Sequence, residues 1–487
     1  MNFRMIVYIV GQIIKIEGLL FLVPTITSVF YQESQGIVYG IMALSLFIVG
    51  MLITFKKPKN NIFYIKEGCV ATALCWIILS VLGAIPFIIT KEIPSFTDAV
   101  FEVVSGFTTT GSSILKDVEV LSHTSLIWRS FTHWVGGMGI LIFLLAVIPL
   151  TGGSNVNLMK AESPGPQVDK SLPQIKTTTR LLYIIYGVLT ISEFVLLLIT
   201  GLPVFDSICM AFGTAGTGGF GILNSSCGAY PIASQWVITI FMMIFGVNFN
   251  VYVLIVFRRF KNALSSEEVI TYFAIIATSI TIITINIYNT CEGFFDALTK
   301  SSFQVASIIS TTGFSTTDFN EWPTICRVVL VLLMFTGGCA GSTAGGLKTS
   351  RICIAFKVFV REINSFLHPR EVKSIKIDRK IVDKKTLRSV TIYFITYTFL
   401  FVISLFLIAL DGHDLVTTFT SVTATINNIG PGLDLVGPTE NFQFFSTPCK
   451  WVLIFDMLAG RLELFPMLML FHPSIWRGTF FKHRRTY

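Results

Sequence analysis

The chain has 487 residues, of which 53% are hydrophobic and 13% charged, and its formal net charge is +8. Soluble domains carry roughly 25% charged residues, so this composition excludes a water-soluble globular protein. The positive charge does not predict a nucleic-acid partner, because the basic residues are concentrated in a few segments between apolar runs.

Long apolar runs predict a multi-pass membrane protein. A helix needs about 20 residues to cross a hydrocarbon layer about 30 Å thick. Runs of that length cover residues 37–55, 70–90, 126–150, 181–202, 236–257 and 390–410. The earlier stretch 6–30 carries Lys15 and Glu17 and has no small-residue cleavage site, so we predict a retained helix and no signal peptide.

The basic segments predict the orientation of the helices, because such segments face the cytoplasm by the positive-inside rule. They lie at residues 56–66, 160–180, 258–261, 357–388 and 482–485. We therefore expect both termini in the cytoplasm. The nine cysteines include no CxxC pair, and we interpret them as small buried side chains, not disulfides or metal ligands.

Between successive basic clusters the sequence repeats one plan. An apolar helix is followed by a segment too short to span a membrane, a stretch rich in Gly, Thr and Ser, and a second long apolar helix. The polar stretches are residues 108–113 (TTTGSS), 214–221 (TAGTGGFG), 310–315 (STTGFS) and 425–432 (TINNIGPG). We predict two N-terminal helices in 1–66, pore repeats in 67–160, 161–262 and 263–360, and a basic linker with the fourth repeat in 361–487.

An aspartate precedes each polar stretch, and we predict that Asp98, Asp206, Asp296 and Asp414 each cap a short helix. The carbonyl end of such a helix carries partial negative charge, which favours a cation near the polar stretch. Non-helical backbone at membrane depth is tolerated only where it lines water or is buried in protein. The polar stretches are therefore predicted to be re-entrant loops around one axis.

Four such loops predict a cation filter, since rings of backbone carbonyls can replace the hydration shell of K⁺. Glycine permits the backbone conformations that bring carbonyls close together, and threonine hydroxyls are expected to brace the loops by bonds to the backbone. One such stretch alone would be explained by a turn or by helix packing. The predicted K⁺-binding residues are Thr109, Thr110, Gly111, Thr217, Gly218, Gly219, Thr311, Thr312, Gly313, Asn428, Ile429 and Gly430.

The second helix of the third repeat is interrupted by residues 337–348, which contain five glycines. Each glycine in a helix interior costs about 1 kcal/mol relative to alanine, so a stable helix is disfavoured. We predict a flexible loop that gates ion flow; the alternative is a kinked helix with small residues at a packing interface. The predicted gate residues are Gly337, Gly338, Gly341, Ser342, Thr343, Gly345, Gly346, Lys348 and, from the last apolar helix, Arg461.

Arg461 lies where an arginine is costly unless it faces water or a partner. A salt bridge to Asp456 or Glu463 is the structural alternative, although spacings of five and two residues are poor for helical partners.

The chain resembles the Trk, Ktr and HKT superfamily of K⁺ transporters, and most closely its TrkH branch. The matching stretches are SGFTTTGSS (105–113), GGMGI (136–140), STTGFST (310–316), GGCAGSTAGGLKTSR (337–351), NNIGPGL (427–433) and MLAGRLELFP (457–466). The two extra N-terminal helices favour TrkH over Ktr. Ala344 departs from the pattern, because the family commonly has glycine there.

The resemblance implies an all-α membrane fold of four helix, re-entrant loop, helix repeats around one pore, in a bacterial cytoplasmic membrane. It further implies a homodimer with one pore per protomer, K⁺ bound by carbonyls around the four aligned glycines, and a cytosolic nucleotide-binding ring like TrkA as partner. Residues 337–348 match the intramembrane gating loop, and Arg461 matches an arginine in the pore beneath the filter. We expect no organic cofactor and no nucleic-acid partner, and we expect membrane lipids to contact the protein.

Two other classes of function remain for comparison. An enzyme would have to use His133, His413, Asp98 or Glu102, which form neither an HExxH motif nor a nucleophile elbow. An inverted-repeat secondary transporter is disfavoured, because the four repeats run in one direction. Coupling of K⁺ flow to H⁺ or Na⁺ stays open.

Overall fold

The computed structural model describes residues 1–58, 64–139, 175–368, 374–378, 380–473 and 475. The N-terminal pair and first repeat contain α1 (Phe3–Leu20), α2 (Leu22–Tyr31), α3 (Gln35–Thr54), α4 (Ile65–Ile89), α5 (Phe96–Phe107) and α6 (His123–Gly137). The second repeat contains α7 (Ile175–Ile199), α8 (Val204–Gly216), α9 (Ile232–Phe245) and α10 (Phe249–Val256), followed by α11 (Phe260–Leu264). The third contains α12 (Glu267–Ile287), α13 (Phe294–Ile309), α14 (Thr324–Thr336) and α15 (Thr349–Leu367). The fourth contains α16 (Lys384–Ile408), α17 (Leu415–Ile426), α18 (Thr447–Arg461) and α19 (Phe465–Leu470).

The predicted helical membrane fold is confirmed. Within the described residues, six helical segments are long and apolar enough to cross a membrane. They are Phe3–Tyr31, Gln35–Thr54, Ile65–Ile89, Arg180–Ile199, Glu267–Thr290 and Lys384–Asp411. The span that begins at Glu267 was not among the predicted apolar runs, because threonines interrupt its hydrophobic sequence. A two-stranded antiparallel hairpin in the linker, β1 (Lys376–Ile377) with β2 (Lys380–Ile381), was also not predicted.

The helices in front of the polar stretches are short, as predicted. α5 and α17 have 12 residues each, α8 has 13 and α13 has 16. At 1.5 Å per residue they are about 18–24 Å long, which is less than the hydrocarbon thickness.

The prediction that all four aspartates cap these helices is wrong for three of them. Asp414 is the N-cap of α17, and its carboxylate accepts hydrogen bonds from the N–H groups of Val416 and Thr417. Hydrogen bonds from Thr417 hold the pKa of the exposed Asp414 carboxyl below its ordinary value, although slight desolvation opposes this. The other three aspartates lie in the first turn, where a negative side chain still complements the helix dipole.

Within the described residues, the second helices of the second, third and fourth repeats are broken, whereas only the third was predicted to be interrupted. α9 and α10 meet at a 90° bend across Gly246–Asn248, where a continuous helix over 236–257 was expected. α18 and α19 are separated by Leu462–Leu464, in which Glu463 and Leu464 have φ values of +56° and +68°. α6 ends at Gly137, and the rest of the predicted run 126–150 from residue 140 lies outside the described residues.

Two carboxylates attach the N-terminal helix pair and the α4–α5 turn to α6. Glu33, between α2 and α3, accepts hydrogen bonds from the N–H groups of His123 (2.9 Å) and Thr124 (2.8 Å). Glu92 accepts hydrogen bonds from the N–H (2.9 Å) and hydroxyl (2.7 Å) of Ser122. Glu33 therefore accepts from the first N–H groups of α6, which have no partner within the helix, and Glu92 holds the N-cap residue of that helix. The N-terminal pair is thereby joined to the first pore repeat.

Candidate functional site: a four-loop ring and the segment beneath it

The four short helices end in the same backbone motif. The N–H groups of Thr110, Gly218, Thr312 and Ile429 each donate to the carbonyl five residues earlier, at distances of 2.9, 2.8, 2.8 and 3.0 Å. The N–H groups of the preceding residues, Thr109, Thr217, Thr311 and Asn428, each donate to the carbonyl three residues earlier. The six-to-one bond after a left-handed residue is the Schellman arrangement. Four segments of different sequence therefore leave their helices along the same path.

Backbone conformation alternates through each loop. Left-handed φ values occur at Thr109 (54°), Thr217 (55°), Thr311 (57°) and Asn428 (54°). Two residues later, the glycines have φ values of 82° (Gly111), 80° (Gly219), 87° (Gly313) and 100° (Gly430). A β-branched threonine rarely adopts such a φ, so the surrounding structure must hold it there. Alternation of left-handed and right-handed residues lets successive carbonyls face the same side of a loop.

The aligned glycines place the four loops in a closed ring. A Cβ on Gly111 would lie 2.1 Å from the carbonyl oxygen of Gly218, and one on Gly219 would lie 2.0 Å from that of Thr312. A Cβ on Gly313 would lie 2.0 Å from the carbonyl oxygen of Ile429, and one on Gly430 would lie 2.9 Å from that of Thr110. Each glycine thus abuts the residue that precedes the equivalent glycine of the next repeat. The loop of each repeat therefore contacts the loop of the next repeat in the chain, and the fourth loop contacts the first.

The threonine hydroxyls do not all brace the loops as expected. The Thr217 hydroxyl donates to its neighbour's carbonyl (2.6 Å), but Thr110 and Thr312 pair with the hydroxyls of Thr108 and Ser310. The Thr311 hydroxyl accepts a hydrogen bond from the segment beneath the ring. The hydroxyl of Thr109 has no hydrogen-bond partner in the described part of the chain.

A buried ion pair, not identified from the sequence as part of this site, supports the first two loops. Arg129 donates from Nε (2.9 Å) and Nη2 (2.7 Å) to Glu102, and both side chains are at most 3% exposed. Glu102 also accepts hydrogen bonds from Ser113 and from the N–H of Ile114, directly after the first loop. Arg129 additionally donates to the carbonyl of Gly221, at the end of the second loop (3.3 Å). Breaking a buried pair by removing one partner is strongly destabilising, so these charges fix both loops.

His133 lies between the first short helix and the second loop. Its Nδ1 lies 2.8 Å from the carbonyl oxygen of Gly106, and its Nε2 accepts a hydrogen bond from the N–H of Phe220 (3.2 Å). This pattern assigns the proton to Nδ1. A Cβ on Gly218 would lie 2.1 Å from the ring, so the glycine is needed for this contact. His133 and Glu102 thus make structural contacts, and Asp98 forms an ion pair with Lys450 (2.6 Å). Among the described residues, no group of three or more His, Cys, Asp or Glu side chains is placed to hold a metal.

Residues 337–348 form a non-helical segment directly beneath the ring, which we call the inner loop. Gly345 donates to the Thr311 hydroxyl (2.6 Å), and Gly346 donates to the carbonyl of Asn427 (3.0 Å). A Cβ on Gly345 would lie only 2.4 Å from that carbonyl oxygen. The inner loop therefore touches the third and fourth loops of the ring through its backbone.

The inner loop is also bonded to the break in the second repeat. The N–H of Cys339 donates to the carbonyl of Gly246 (2.9 Å), and the N–H of Phe249 donates to the carbonyl of Gly341 (3.0 Å). The Thr343 hydroxyl donates to the carbonyl of Phe245 (3.2 Å). The broken ends of two repeats satisfy each other's backbone groups, as burial at membrane depth requires.

Arg461 joins the inner loop to the first repeat. Its Nη1 donates to the carbonyl of Thr343 (2.8 Å), and its Nη2 donates to the carbonyls of Gly136 (2.6 Å) and Gly137 (2.7 Å). The alternative salt bridges are not formed, because Glu463 pairs with Arg351, and Asp456 accepts a hydrogen bond from Ser404.

Lys348 and Arg351 add positive charge at the end of the inner loop. The Lys348 ammonium donates to the carbonyl of Ala344. The Arg351 guanidinium lies 3.9 Å from the centre of the Tyr393 ring while it pairs with Glu463. At the end of the inner loop, one positive charge is therefore bound by a backbone carbonyl and the other by a carboxylate.

The geometry can be compared with known proteins. A family model described as TrkH, cation transport protein, matches residues 33–478. The Trk system potassium uptake protein TrkH of Salmonella typhimurium is 34% identical over 485 residues, which are 98% of this chain and 100% of that protein. The Trk system potassium uptake protein TrkG of Escherichia coli is 32% identical over 485 residues, with coverage of 98% and 99%. The crystal structure of the potassium transporter TrkH from Vibrio parahaemolyticus matches with a TM-score of 0.87 and 30% identity, over 98% of this chain and 100% of that one.

Proposed function

This chain belongs to the TrkH family of cation transport proteins, and we propose that it takes up K⁺ through a pore on the axis of its four repeats. Its relatives are named as potassium uptake proteins, so it is a multi-pass membrane transporter and not an enzyme. K⁺ is the transported ion in this proposal.

The observation that carries the proposal is the contact of each aligned glycine with a carbonyl of the next repeat. Four left-handed residues and four glycines recur at equivalent positions, which supports a ring of backbone carbonyls as the selectivity filter. The ligands would be backbone oxygens of residues 109–111, 217–219, 311–313 and 428–430. The carbonyl ends of the four short helices add partial negative charge near that ring.

The inner loop and Arg461 are proposed to close this pathway beneath the filter. The contacts of Gly345 and Gly346 with the third and fourth loops support this, because they hold the backbone of the inner loop against the ring. The guanidinium of Arg461 supplies both a positive charge and three hydrogen bonds to the surrounding carbonyls.

Assembly and orientation are part of the same proposal. We infer a homodimer with one pore per protomer, both termini in the cytoplasm of a bacterial cell, and the basic linker facing a nucleotide-binding regulatory ring. The exposed lysines of the linker hairpin, Lys376 and Lys380, support contact with a partner or with anionic lipid.

Purified protein in liposomes tests the proposal. Uptake of ⁸⁶Rb⁺ and K⁺ is expected to exceed that of Na⁺. Replacing any of the four aligned glycines is expected to reduce this difference. Measuring the same fluxes with and without an imposed pH gradient separates passive conduction from H⁺ coupling. Equal flux of all three ions would refute a K⁺ filter.

A further inference from the structure

Glu268, in the first turn of α12, contacts both ends of the inner loop. Its Oε1 accepts a hydrogen bond from the N–H of Ala340 (2.6 Å), near the start of the loop, and one from the N–H of Ser350 (3.2 Å), just after its end. The side chain is 8% exposed. One carboxylate therefore ties together two points that are separated by the whole loop.

The bond to Ser350 replaces a missing helix cap. α15 begins at Thr349, and the residue before it, Lys348, has a φ of 73° and makes no side-chain cap bond. The first N–H groups of a helix have no partner inside it, and an acceptor there stabilises the helix. A carboxylate is also favoured by the positive end of the helix dipole. Glu268 supplies this acceptor from a different helix.

The same carboxylate lies beside the break in the second repeat. The side chain of Asn248 also hydrogen bonds to Glu268. Asn248 is in turn close to Gly341 of the inner loop, whose Cβ would lie 3.2 Å from its Oδ1. Without the carboxylate, the N–H groups of Ala340 and Ser350 would lose their acceptor in a buried setting, which costs more than a surface hydrogen bond does.

We propose that Glu268 is a positioning residue of the gate, which holds the inner loop closed beneath the filter. The inference rests on the proposed function, in which the inner loop controls K⁺ flow. Opening the loop must separate Ala340 or Ser350 from Glu268, so the stability of the closed state depends on this side chain.

The neighbouring Glu267 has a different role and provides a matched control. Its carboxylate pairs with Lys357 at the surface, and its N–H donates to Asp378 in the linker hairpin (2.7 Å). The Glu267→Ala change removes only the exposed ion pair, which is worth little. It leaves the acceptor for Ala340 and Ser350 in place.

The experiment compares ⁸⁶Rb⁺ uptake into liposomes by the full-length wild type and three variants. Glu268→Ala is expected to raise uptake about tenfold, because the loss of one charge-assisted hydrogen bond shifts an equilibrium by about that factor. Glu267→Ala is expected to match the wild type. Glu268→Gln keeps an acceptor oxygen for the two N–H groups and is expected to leak less than Glu268→Ala. Selectivity for Rb⁺ over Na⁺ is expected to survive in all three.

The rate at which Cys339 is labelled measures exposure of the inner loop directly, which ion flux does not. Cys339 is fully buried beside Ala340. In a chain that keeps Cys339 as its only cysteine, Glu268→Ala is expected to raise its rate of modification by a water-soluble thiol reagent. This measurement reports release of the loop even if the variant conducts poorly.

The outcomes separate the two proposals. A wild type without Rb⁺ over Na⁺ selectivity would refute the proposed function. A selective wild type, with unchanged flux and unchanged Cys339 labelling in folded Glu268→Ala protein, would refute the role of Glu268 alone. Equal leak in Glu268→Gln and Glu268→Ala would also overturn it, since the hydrogen bonds would then not be responsible.

Discussion

At the scale of single residues, the ring depends on the absence of side chains at four positions. Gly111 has a φ of 82°, and a Cβ there would lie 2.1 Å from the carbonyl oxygen of Gly218. Any larger residue must displace that carbonyl, which is one of the proposed K⁺ ligands. The position therefore has both a conformational and a steric reason to be glycine.

We predict that Gly111→Ser lowers the ratio of K⁺ to Na⁺ flux, because the added side chain displaces the ring carbonyl. Flux of both ions into liposomes measures the ratio. Gly187→Ser is the control, since a Cβ at Gly187 would meet no heavy atom within 4 Å. Unchanged ratios in variants of Gly111, Gly219, Gly313 and Gly430 would contradict the filter assignment.

Arg461 could close the pore by charge or by its hydrogen bonds. A fixed positive charge about 8 Å from an ion, at an effective dielectric constant of about 20, repels it by about 2 kcal/mol. The three carbonyl contacts of the guanidinium are a second contribution, which a lysine cannot reproduce because its ammonium lacks the planar fork.

We predict that Arg461→Ala and Arg461→Lys both raise ⁸⁶Rb⁺ uptake by the isolated protein, because both lose the bonds to Thr343, Gly136 and Gly137. Deletion of residues 341–346 should do the same. An Arg461→Lys protein as tight as the wild type would show that charge alone closes the pore. Lower flux in folded Arg461→Ala protein would instead assign the arginine a structural role.

At the scale of helices, the start of α6 depends on carboxylates from outside its own sequence. Burial alone would raise the pKa of Glu33, but hydrogen bonds from Thr124 and His123 outweigh it and lower the pKa below its ordinary value of 4.5. A group with a lowered pKa stabilises the fold above its ordinary pKa, and this contribution is lost as the pH falls through the folded-state value.

We predict that Glu33→Ala lowers the free energy of unfolding by about 1–2 kcal/mol at neutral pH, after discounting for partial exposure. The difference from the wild type should shrink as the pH falls below 4.5 and through the lowered pKa of Glu33, where the wild-type carboxylate becomes protonated. Thermal unfolding in detergent at several pH values measures this, with Glu321→Ala, at an exposed carboxylate, as the control. A difference that is constant over this range would contradict the role of the ionised carboxylate.

The breaks in the second helices show a limit of prediction at this scale. The run 236–257 is largely apolar and contains no charged residue, so hydrophobicity alone predicts one continuous helix. The chain bends by 90° at Gly246–Asn248 because the inner loop offers partners for the freed backbone groups of Gly246 and Phe249. Those partners lie nearly a hundred residues away, so the local sequence does not reveal them.

At the scale of the whole molecule, the polar loops of the four repeats form one closed ring, and a basic linker connects the third repeat to the fourth. The β1–β2 hairpin in this linker is tied to α15 through the Lys357 ammonium, which donates to the carbonyl of Lys376 (2.7 Å). A partner bound to the hairpin would therefore act close to the helix that continues from the inner loop. Lys373, Arg379 and the basic tail 477–485, also predicted as contacts, lie outside the described residues.

We predict that reversing the charges at Lys373, Lys376, Arg379 and Lys380 abolishes co-purification with a nucleotide-binding ring protein and removes its effect on flux. Flux without the partner should stay at the wild-type level, because none of the four residues belongs to the proposed filter or to the inner loop. Lys91→Glu, in the turn after α4, is the control. Intact regulation after the four reversals would exclude the hairpin as the docking site.

The sequence by itself determined the class of protein, and it predicted four repeats and the register of their four glycines. These features depend on composition and on local spacing, and the helical membrane fold and the family are confirmed. The residues that support the ring and the inner loop were decided only by tertiary structure. Glu102 was considered from the sequence only as an acid–base candidate, and Glu268 was not singled out. Their partners are chosen by packing between distant helices, where a buried N–H or guanidinium must find an acceptor and the chain order gives no indication of which one.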